Sequence, residues 1–447
     1  MPDNSERSIV VLPESGLENA MSSGNRIVAA MVDETLLLAK DTAVGQAGEN
    51  PDADCNRGLS YYRGIGVPQD YSEAVKWFRK AAEKGHVHGQ YNLGSCYRRG
   101  VGVPQDYGKA IEWARLAAEQ GLAEAEHALA ICYSNGQGVP KDETEAVRWS
   151  RRAAEQGLAS GQTHLGSAYH QGHGVVQDYS EAIMWYRMAA EQGDAHGQYN
   201  LGICYNTGQG VQQDYAEGVR WFAKAAAQGH LSALINLGVC YHNGDGVPQD
   251  DKEAAKWYKK AAEQGHAEMQ YKLARSYCDG RGVPQDYFEA VKWFRMAAEQ
   301  GHSDAQNNLG NRYVNGQGVP EDYAEATRWY RKAAEQGDAW GQFILGSCYF
   351  DGAGVPKDYV EAIKWFRRAA RQGNADAQNR LGYCYRKGQG VELDLPLAYA
   401  CFKLASDNGH EKAQDQASEL DDLMDPLEAE AAYELYEDLN EDWFSDQ

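Results

Sequence analysis

The chain has 447 residues, 43% of them hydrophobic, with 11 tryptophans and 28 tyrosines, a content that excludes disorder for most of its length. Its formal net charge of −22 is concentrated at the ends, with −5 in residues 1–50 and −13 in residues 411–447. The nearly neutral middle has no basic stripe to attract phosphates, so nucleic acid is excluded as a partner.

Residues 1–50 are predicted to be a non-repeat N-terminal extension, partly disordered, with a short amphipathic helix near residues 26–40. Asp33 and Glu34 interrupt its apolar run. That run falls short of the roughly 20 apolar residues that a membrane span needs, so we expect no membrane insertion. The first residues also lack the basic start of a secretion signal. These features predict a cytoplasmic protein.

Residues 51–410 repeat with a period of 36 residues. The tryptophans show it most clearly, since nine of them recur in the same phase: Trp77, Trp113, Trp149, Trp185, Trp221, Trp257, Trp293, Trp329 and Trp365. Glycine keeps the same phase through ten copies, from Gly66 to Gly390. A fixed period of this length is typical of solenoids. The sequence therefore predicts ten repeats in one array, with the tryptophans buried between neighbouring repeats.

Each repeat is predicted to contain two helices, here named the first helix and the second helix. The second helix of the first repeat spans roughly residues 71–84, with apolar residues at helical spacing. Asp70 is its predicted N-cap, and Glu73 forms an acidic capping box with it. Gly85 is predicted to end the helix. The first helix of the next repeat then spans roughly residues 88–99.

Small residues mark two features of the repeat. Position 94 and its equivalents are always glycine or alanine, which predicts a close approach of two helices there. The loop from Gly100 to Gln105 contains two glycines and a proline. A Gly-x-Gly sequence can bind phosphate, but this one has no third glycine, no preceding strand and no lysine, and turn formation accounts for it better.

The pattern Leu-Gly-x-x-Tyr-x-x-Gly-x-Gly-Val-x-x-Asp-x-x-x-Ala-x-x-Trp-x-x-x-Ala-Ala-x-x-Gly resembles the Sel-1-like repeat, a relative of the tetratricopeptide repeat. One copy runs from Leu201 to Gly229, with Gly218 where the family has alanine. The resemblance implies an all-α fold, a right-handed superhelical α-solenoid of ten 36-residue helix-turn-helix repeats with first helices on its concave side. It also implies a protein–protein interaction scaffold or adaptor. The motif contains only structural positions, so no catalytic residue and no enzyme activity are implied.

The ends of the array depart from the pattern. Arg57 occupies the leucine position of the first repeat, so its first helix is expected to face solvent or the N-terminal extension. In the last repeat Cys401 replaces the tryptophan and Pro396 lies in the first turn of the second helix. Residues 411–447 are predicted to form an acidic helical C-terminal cap. A partner-binding segment or an electrostatic shield is the alternative for these residues.

No metal site, catalytic site or cofactor is predicted. Six of the nine cysteines share one position of the repeat, as do five of the twelve histidines, so packing and helix entry account for both groups better than metal ligation does. The alternative function is a hydrolase acting on cell-wall or β-lactam substrates, as suggested for secreted cysteine-rich relatives. Those relatives pair two cysteines in each repeat, whereas most repeats here hold one.

A partner-binding site is predicted on the first helices. Positions 88, 92, 95 and 99 and their equivalents form one stripe of mostly polar residues. The ninth repeat and its neighbour differ, and the candidate residues are Trp340, Phe343, Ile344, Phe350 and Tyr383. Large apolar groups on a polar surface suggest an anchor for a protein or peptide partner. The alternative is that Phe343 and Phe350 pack between helices. The protein itself is expected to be a monomer.

Overall fold

The computed structural model describes residue 36 and residues 50–444, with side chains through residue 440. These residues form 22 α-helices and no strand, in two compact units. The unit up to Gln249 contains α1 to α11: Pro51–Arg63, Tyr71–Glu83, Val87–Arg99, Tyr107–Glu119, Ala123–Asn135, Glu143–Glu155, Ala159–Gln171, Tyr179–Glu191, Ala195–Thr207, Tyr215–Ala227 and Leu231–Asn243. The unit from Asp250 contains α12 to α22: Asp251–Glu263, Ala267–Asp279, Tyr287–Glu299, Ser303–Asn315, Tyr323–Glu335, Ala339–Asp351, Tyr359–Arg371, Ala375–Lys387, Leu395–Asp407, Ala413–Asp421 and Pro426–Phe444.

Odd-numbered helices from α1 to α19 are the first helices of the repeats, and even-numbered helices from α2 to α20 are the second helices. Each of these twenty helices has 13 residues, about 20 Å of helix. The two-helix repeat predicted from the sequence is confirmed, and the predicted helix bounds differ from the structure by one residue.

The aspartate before each second helix is its N-cap. Asp70 Oδ1 accepts hydrogen bonds from the backbone N–H groups of Ser72 and Glu73. The second half of the predicted capping box is absent at this helix. The Asp70 backbone N–H donates to the Tyr61 carbonyl of the first helix, and the Glu73 carboxylate instead lies 2.6 Å from Lys76 Nζ. The aspartate therefore both starts the second helix and ties it to the first.

Glycines end both helices of the repeat. Gly85 has a φ of +82° and follows the second helix α2, and the next residue, His86, donates its backbone N–H to the Ala81 carbonyl. This left-handed ending satisfies carbonyls that the helix leaves unpaired. Gly64, with a φ of +71°, ends the first helix α1 in the same way.

The core of each repeat lies between its two helices. The ring of Phe222, which is fully buried, packs so close to Gly202 that a Cβ added there would lie 2.7 Å from it. The close approach predicted at this glycine position is therefore confirmed. A buried leucine precedes this glycine or alanine position in nine repeats, from Leu93 to Leu381.

The tryptophans of the repeats differ in how far they are buried, although their positions in the sequence are equivalent. Trp293 and Trp329 are buried, but Trp221 is only half-buried, and the Lys224 ammonium lies 3.5 Å from its ring centroid. The predicted burial of the tryptophans therefore holds for Trp293 and Trp329 and only in part for Trp221. The fully buried ring of the fifth repeat is that of Phe222, the next residue.

Within each unit, consecutive helices pack along the chain. In some neighbouring repeats the first helices also approach each other, as α7 and α9 do in the unit up to Gln249 and α15 and α17 in the unit from Asp250. Second helices of these repeats stand further apart. In these repeats the first helices therefore lie side by side.

Residues outside the ten repeats pack on the first and the last repeat of the array. At the start, buried Leu36 packs in a cluster with Leu59 and Tyr62, and Arg63 donates a hydrogen bond to the Leu36 carbonyl at 3.2 Å. Arg57 is exposed and lies over the Trp77 ring. The helix predicted near residues 26–40 lies, apart from Leu36, outside the described residues.

At the C-terminal end, α21 and α22 pack against α20. Leu420 and Ala432 are buried in the same cluster as Phe402. Leu427, at the start of α22, is exposed and takes no part in this cluster. None of the described helices combines the length and the apolar composition needed to cross a membrane.

Candidate partner-binding surface

The stripe of positions equivalent to 88, 92, 95 and 99 is hereafter named the first-helix face. Most of its residues are polar, as the sequence predicts. Among the described residues, the large hydrophobic side chains that are exposed on the ten first helices are Trp340 and Tyr383. The other exposed large hydrophobics lie on second helices, on loops or on the two C-terminal helices. The two aromatic residues on this face are therefore a departure from its pattern.

Trp340 lies in the first turn of α17, close after the N-cap Asp338, which accepts the Gly341 backbone N–H at 2.6 Å. Its side chain is 37% exposed. The buried part of the indole makes an edge contact with Tyr330 of the preceding second helix, with ring centroids 6.1 Å apart. The indole is thus held on one side by the preceding repeat and open to solvent on the other.

Phe343 and Phe350 of the same helix point into the core. Both rings contact the buried ring of Phe366, at centroid distances of 6.0 Å and 6.3 Å. Phe350 also makes an edge contact with Tyr359 at 4.9 Å. Ile344 is half-buried and packs on the cluster around Tyr330. These three side chains fix the orientation of the helix that carries Trp340.

Tyr383 lies on α19, the next first helix, and is 37% exposed. Three residues earlier on the same helix, the Arg380 guanidinium lies 5.7 Å from the centroid of the Phe350 ring. This contact joins the first helices of the ninth and tenth repeats. Arg380 was not predicted from the sequence, although its place on the stripe beside an aromatic helix was visible there.

The eighth repeat contributes amides next to Trp340. Its stripe contains Asn308, Asn311 and Asn315. Tyr330 donates its hydroxyl to Asn311 Oδ1 at 2.7 Å, and burial raises the pKa of this phenol. The protonated tyrosine therefore orients Asn311 and supports Trp340 at once. Amide side chains can donate and accept, which suits them to the backbone of a bound segment.

The described residues hold no cluster of three or more histidine, cysteine or acidic side chains suited to a metal ion. All nine cysteines are among the described residues, and all are free thiols. Burial raises the pKa of several of them, for example to about 12 for Cys204 and Cys240. Thiols held protonated in this way are poor nucleophiles and poor ligands.

The repeats themselves identify the protein family. The Sel1 repeat pattern matches residues 51–86, 87–122, 123–158, 159–194, 195–230, 231–266, 267–302, 303–338, 341–374 and 375–410.

The chain belongs to the Sel1 repeat family. Sel1 repeat proteins are typically non-enzymatic scaffolds for protein interactions. Comparison with curated protein sequences gives no match.

Solved Sel1 repeat structures are similar to this chain. A protective antigen present in uropathogenic Escherichia coli strains, which displays an SLR fold, is 34% identical, with 89% of this chain and 93% of that chain covered and a TM-score of 0.54. A Sel1 repeat protein from Oxalobacter formigenes is 31% identical over 55% of this chain and 96% of its own, with a TM-score of 0.45. The predicted all-helical fold of ten Sel1 repeats is confirmed.

Proposed function

We propose that this protein is a scaffold that holds a protein or peptide partner on the first-helix face of the ninth and tenth repeats. Trp340 and Tyr383 contact the partner. Ile344 forms the half-buried floor beside Trp340, and Phe343 and Phe350 hold the helix in place. The observation that carries the proposal is that the exposed large hydrophobics of the described first helices are confined to these two adjacent repeats.

Binding energy at protein interfaces is concentrated in a few residues, with Trp and Tyr enriched among them. A tryptophan that is partly exposed in the free protein loses the rest of its accessible surface when a partner covers it. The helix that carries Trp340 is already fixed by core contacts, so little ordering is needed on binding. A preformed surface of this kind suits an extended or helical segment of a partner.

Replacing Trp340 with alanine tests the proposal. Trp340→Ala should leave the melting temperature nearly unchanged, because the indole is 37% exposed and its ring contact with the preceding repeat is an edge contact with Tyr330. It should weaken partner capture by about 2 kcal/mol or more, roughly 30-fold in affinity. Affinity purification with mass spectrometry identifies proteins held by the wild type and lost with the variant, and titration with the purified partner gives the affinity.

Asp304→Ala is the matched control. Asp304 occupies the equivalent position of the eighth repeat and is exposed, but it carries no apolar group. Partners should be retained by Asp304→Ala and lost by Trp340→Ala and Tyr383→Ala. If Trp340→Ala lowers the melting temperature by several degrees and retains every partner, its role is structural and the proposal is wrong.

The location and assembly state are part of the same proposal. We place the protein in the cytoplasm as a monomer, and free cysteine thiols are expected in that compartment. Thiol titration under denaturing, non-reducing conditions, with protein from its native source, should find all nine thiols free. Two or more protected pairs would contradict the location.

A further inference from the structure

One position of the repeat normally carries a buried aromatic ring. It is the residue that follows the tryptophan position, and in eight of the ten repeats it is Phe or Tyr. Each of these eight rings is buried, with at most 5% of its surface exposed. The second repeat has Ala114 at this position and the third has Ser150. The series of rings is therefore interrupted twice in succession.

A cavity of about 300 Å³ lies beside Ser150, between the third and fourth repeats. Its apolar wall includes Val147 and Ala168, and its polar wall includes His164 and Ser167. Asn135, His164, Ser167 and Gln171 all belong to the first-helix face, so the cavity opens on that face. Its volume is at the lower end of the range for small-molecule pockets.

The polar wall formed by Ser150, His164 and Ser167 is uncharged, and the cavity lining also includes Lys141, Glu143 and His173. Ser150 Oγ and His164 Nδ1 are 3.2 Å apart, and Ser167 Oγ accepts the Tyr186 hydroxyl at 3.1 Å, which leaves its own proton to donate. Burial lowers the pKa of His164, so its imidazole is neutral at neutral pH. At the rim, Lys141 Nζ and the Glu143 carboxylate form an ion pair at 2.8 Å. Neutral donors and acceptors on one wall and methyl groups on the other favour an uncharged ligand.

We propose that the cavity beside Ser150 binds a phenol, an uncharged aromatic ring that carries one hydroxyl group. Most repeats carry an aromatic ring at the position that Ser150 occupies in the third repeat. A ligand of the size of such a ring would restore the packing contacts that the serine does not make. An apolar cavity costs stability in proportion to its volume, and small aromatic molecules bind in such cavities. The ligand hydroxyl has Ser150, His164 and Ser167 within the same wall as partners.

Two sources of a phenol can reach the site, because it opens on the first-helix face. One is a free small molecule, and the other is a tyrosine side chain of a bound segment. Both present the same ring and hydroxyl. The inference is independent of the Trp340 site, since the cavity lies in the unit up to Gln249 and Trp340 lies in the other.

Ser150→Phe places in the third repeat the ring that most other repeats carry, and it fills the cavity from within. Binding of phenol and of N-acetyltyrosinamide to the full chain is followed by ligand-observed NMR. The wild type should bind phenol at one saturable site, several-fold more tightly than benzene, which lacks the hydroxyl. Ser150→Phe should reduce phenol binding at least tenfold while keeping the helical content. Saturable binding of N-acetyltyrosinamide identifies a peptide side chain as a source, and its absence identifies a free phenol.

Ala114→Phe is the matched control, because it makes the same change at the equivalent position of the second repeat and should leave phenol binding intact. Trp340→Ala should also leave it intact, which separates this site from the proposed partner surface. Equal phenol binding by the wild type and Ser150→Phe, or no saturable binding by the wild type, overturns the inference. If Ser150→Phe misfolds, the test is a crystal structure of the wild type soaked in phenol. The phenol ring should lie beside Ser150, and its absence there would overturn the inference.

Discussion

Asn206 and Gly218 form a compensating pair inside the fifth repeat. Gly218 stands on the second helix α10 where the repeat pattern has alanine, and a Cβ there would lie 1.7 Å from Asn206 Oδ1. Asn206 is 1% exposed, and the Cys240 thiol, a weak hydrogen-bonding group, is the partner of its amide. The glycine thus makes room for a buried amide whose desolvation is offset only weakly by hydrogen bonding.

The pair predicts a strong coupling between two substitutions. Gly218→Ala alone should destabilise the protein by about 1–3 kcal/mol, because the new methyl group overpacks against Asn206. In an Asn206→Ala background the same change should be neutral or stabilising, since alanine favours the helix by about 1 kcal/mol over glycine. Melting temperatures of the wild type, both single variants and the double variant measure the coupling. Additive effects would show that the two positions do not compete for the same space.

At the scale of elements, the loop of each repeat packs on the second helix of the repeat before it. Gly102 has a φ of +71°, and a Cβ there would lie 2.2 Å from the Tyr71 carbonyl oxygen. Gly66 is its equivalent in the first repeat, with a φ of +74°, but nothing lies within 4 Å of a Cβ at this position. The difference arises because no repeat precedes the first one.

A comparison of alanine substitutions at Gly66 and Gly102 separates the free-energy cost of backbone strain from the cost of steric overlap. Gly66→Ala should cost about 1–2 kcal/mol, the strain of a left-handed residue with a side chain. Gly102→Ala has the same strain and must also displace a backbone carbonyl, so it should cost at least about 1 kcal/mol more. Urea unfolding followed by tryptophan fluorescence compares the two variants. Equal losses would mean that the loop does not hold neighbouring repeats together.

At the scale of the whole molecule, histidines lie at the junctions between repeats, where the last residue of a repeat contacts the first helix of the same repeat. His86 Nε2 lies 2.7 Å from Asp52, His302 Nε2 lies 2.8 Å from Glu268, and His410 makes a similar, longer contact of 3.8 Å. At one junction the acidic residue is replaced: His230 Nε2 lies 3.2 Å from His196 Nδ1. Burial and the neighbouring His196 lower the pKa of His230 to about 3.

The lowered pKa of His230 predicts that acid weakens this junction. A histidine whose pKa is lower in the folded state binds its proton more readily when unfolded, so its stabilising effect is complete above about pH 6.5 and declines as the pH falls towards 3. Because the contact is partly open to solvent, we expect a loss of about 1 kcal/mol between pH 7 and pH 5. The variant His196→Asp supplies the carboxylate found at the other junctions and should lose less. Melting temperatures at both pH values compare the two proteins, and an equal loss in both would contradict the role of His196.

The repeat architecture could be predicted from the sequence because it depends on local, periodic signals. The 36-residue period, Asp70 as an N-cap and Gly85 as a helix end each act within one or two turns of the chain, and the structure confirms all three. The close contact at position 202 was also predicted, because a glycine or alanine kept at one helical position in every repeat indicates that a neighbouring helix leaves no room for a larger side chain.

The candidate surface was predicted only in part. The stripe on the first helices follows from helical geometry, and the polar character of most of its residues was evident. The sequence did not show which aromatic residues of the ninth repeat's first helix are exposed, because Phe343 and Trp340 lie on the same helix and have similar hydrophobicity. Contact with Phe366 turns Phe343 inward, whereas the Trp340 indole makes an edge contact with Tyr330 and stays 37% exposed.

The sequence by itself determined the fold family, the number of repeats and the helix bounds, because each repeat makes the same local and nearest-neighbour contacts. Only the tertiary structure decided which departures from the repeat pattern change the packing of the protein. Ser150 in one repeat and Gly218 in another are single small residues in sequence. One opens a cavity and the other accommodates a buried amide, because the space around a side chain is set by residues up to a full repeat away.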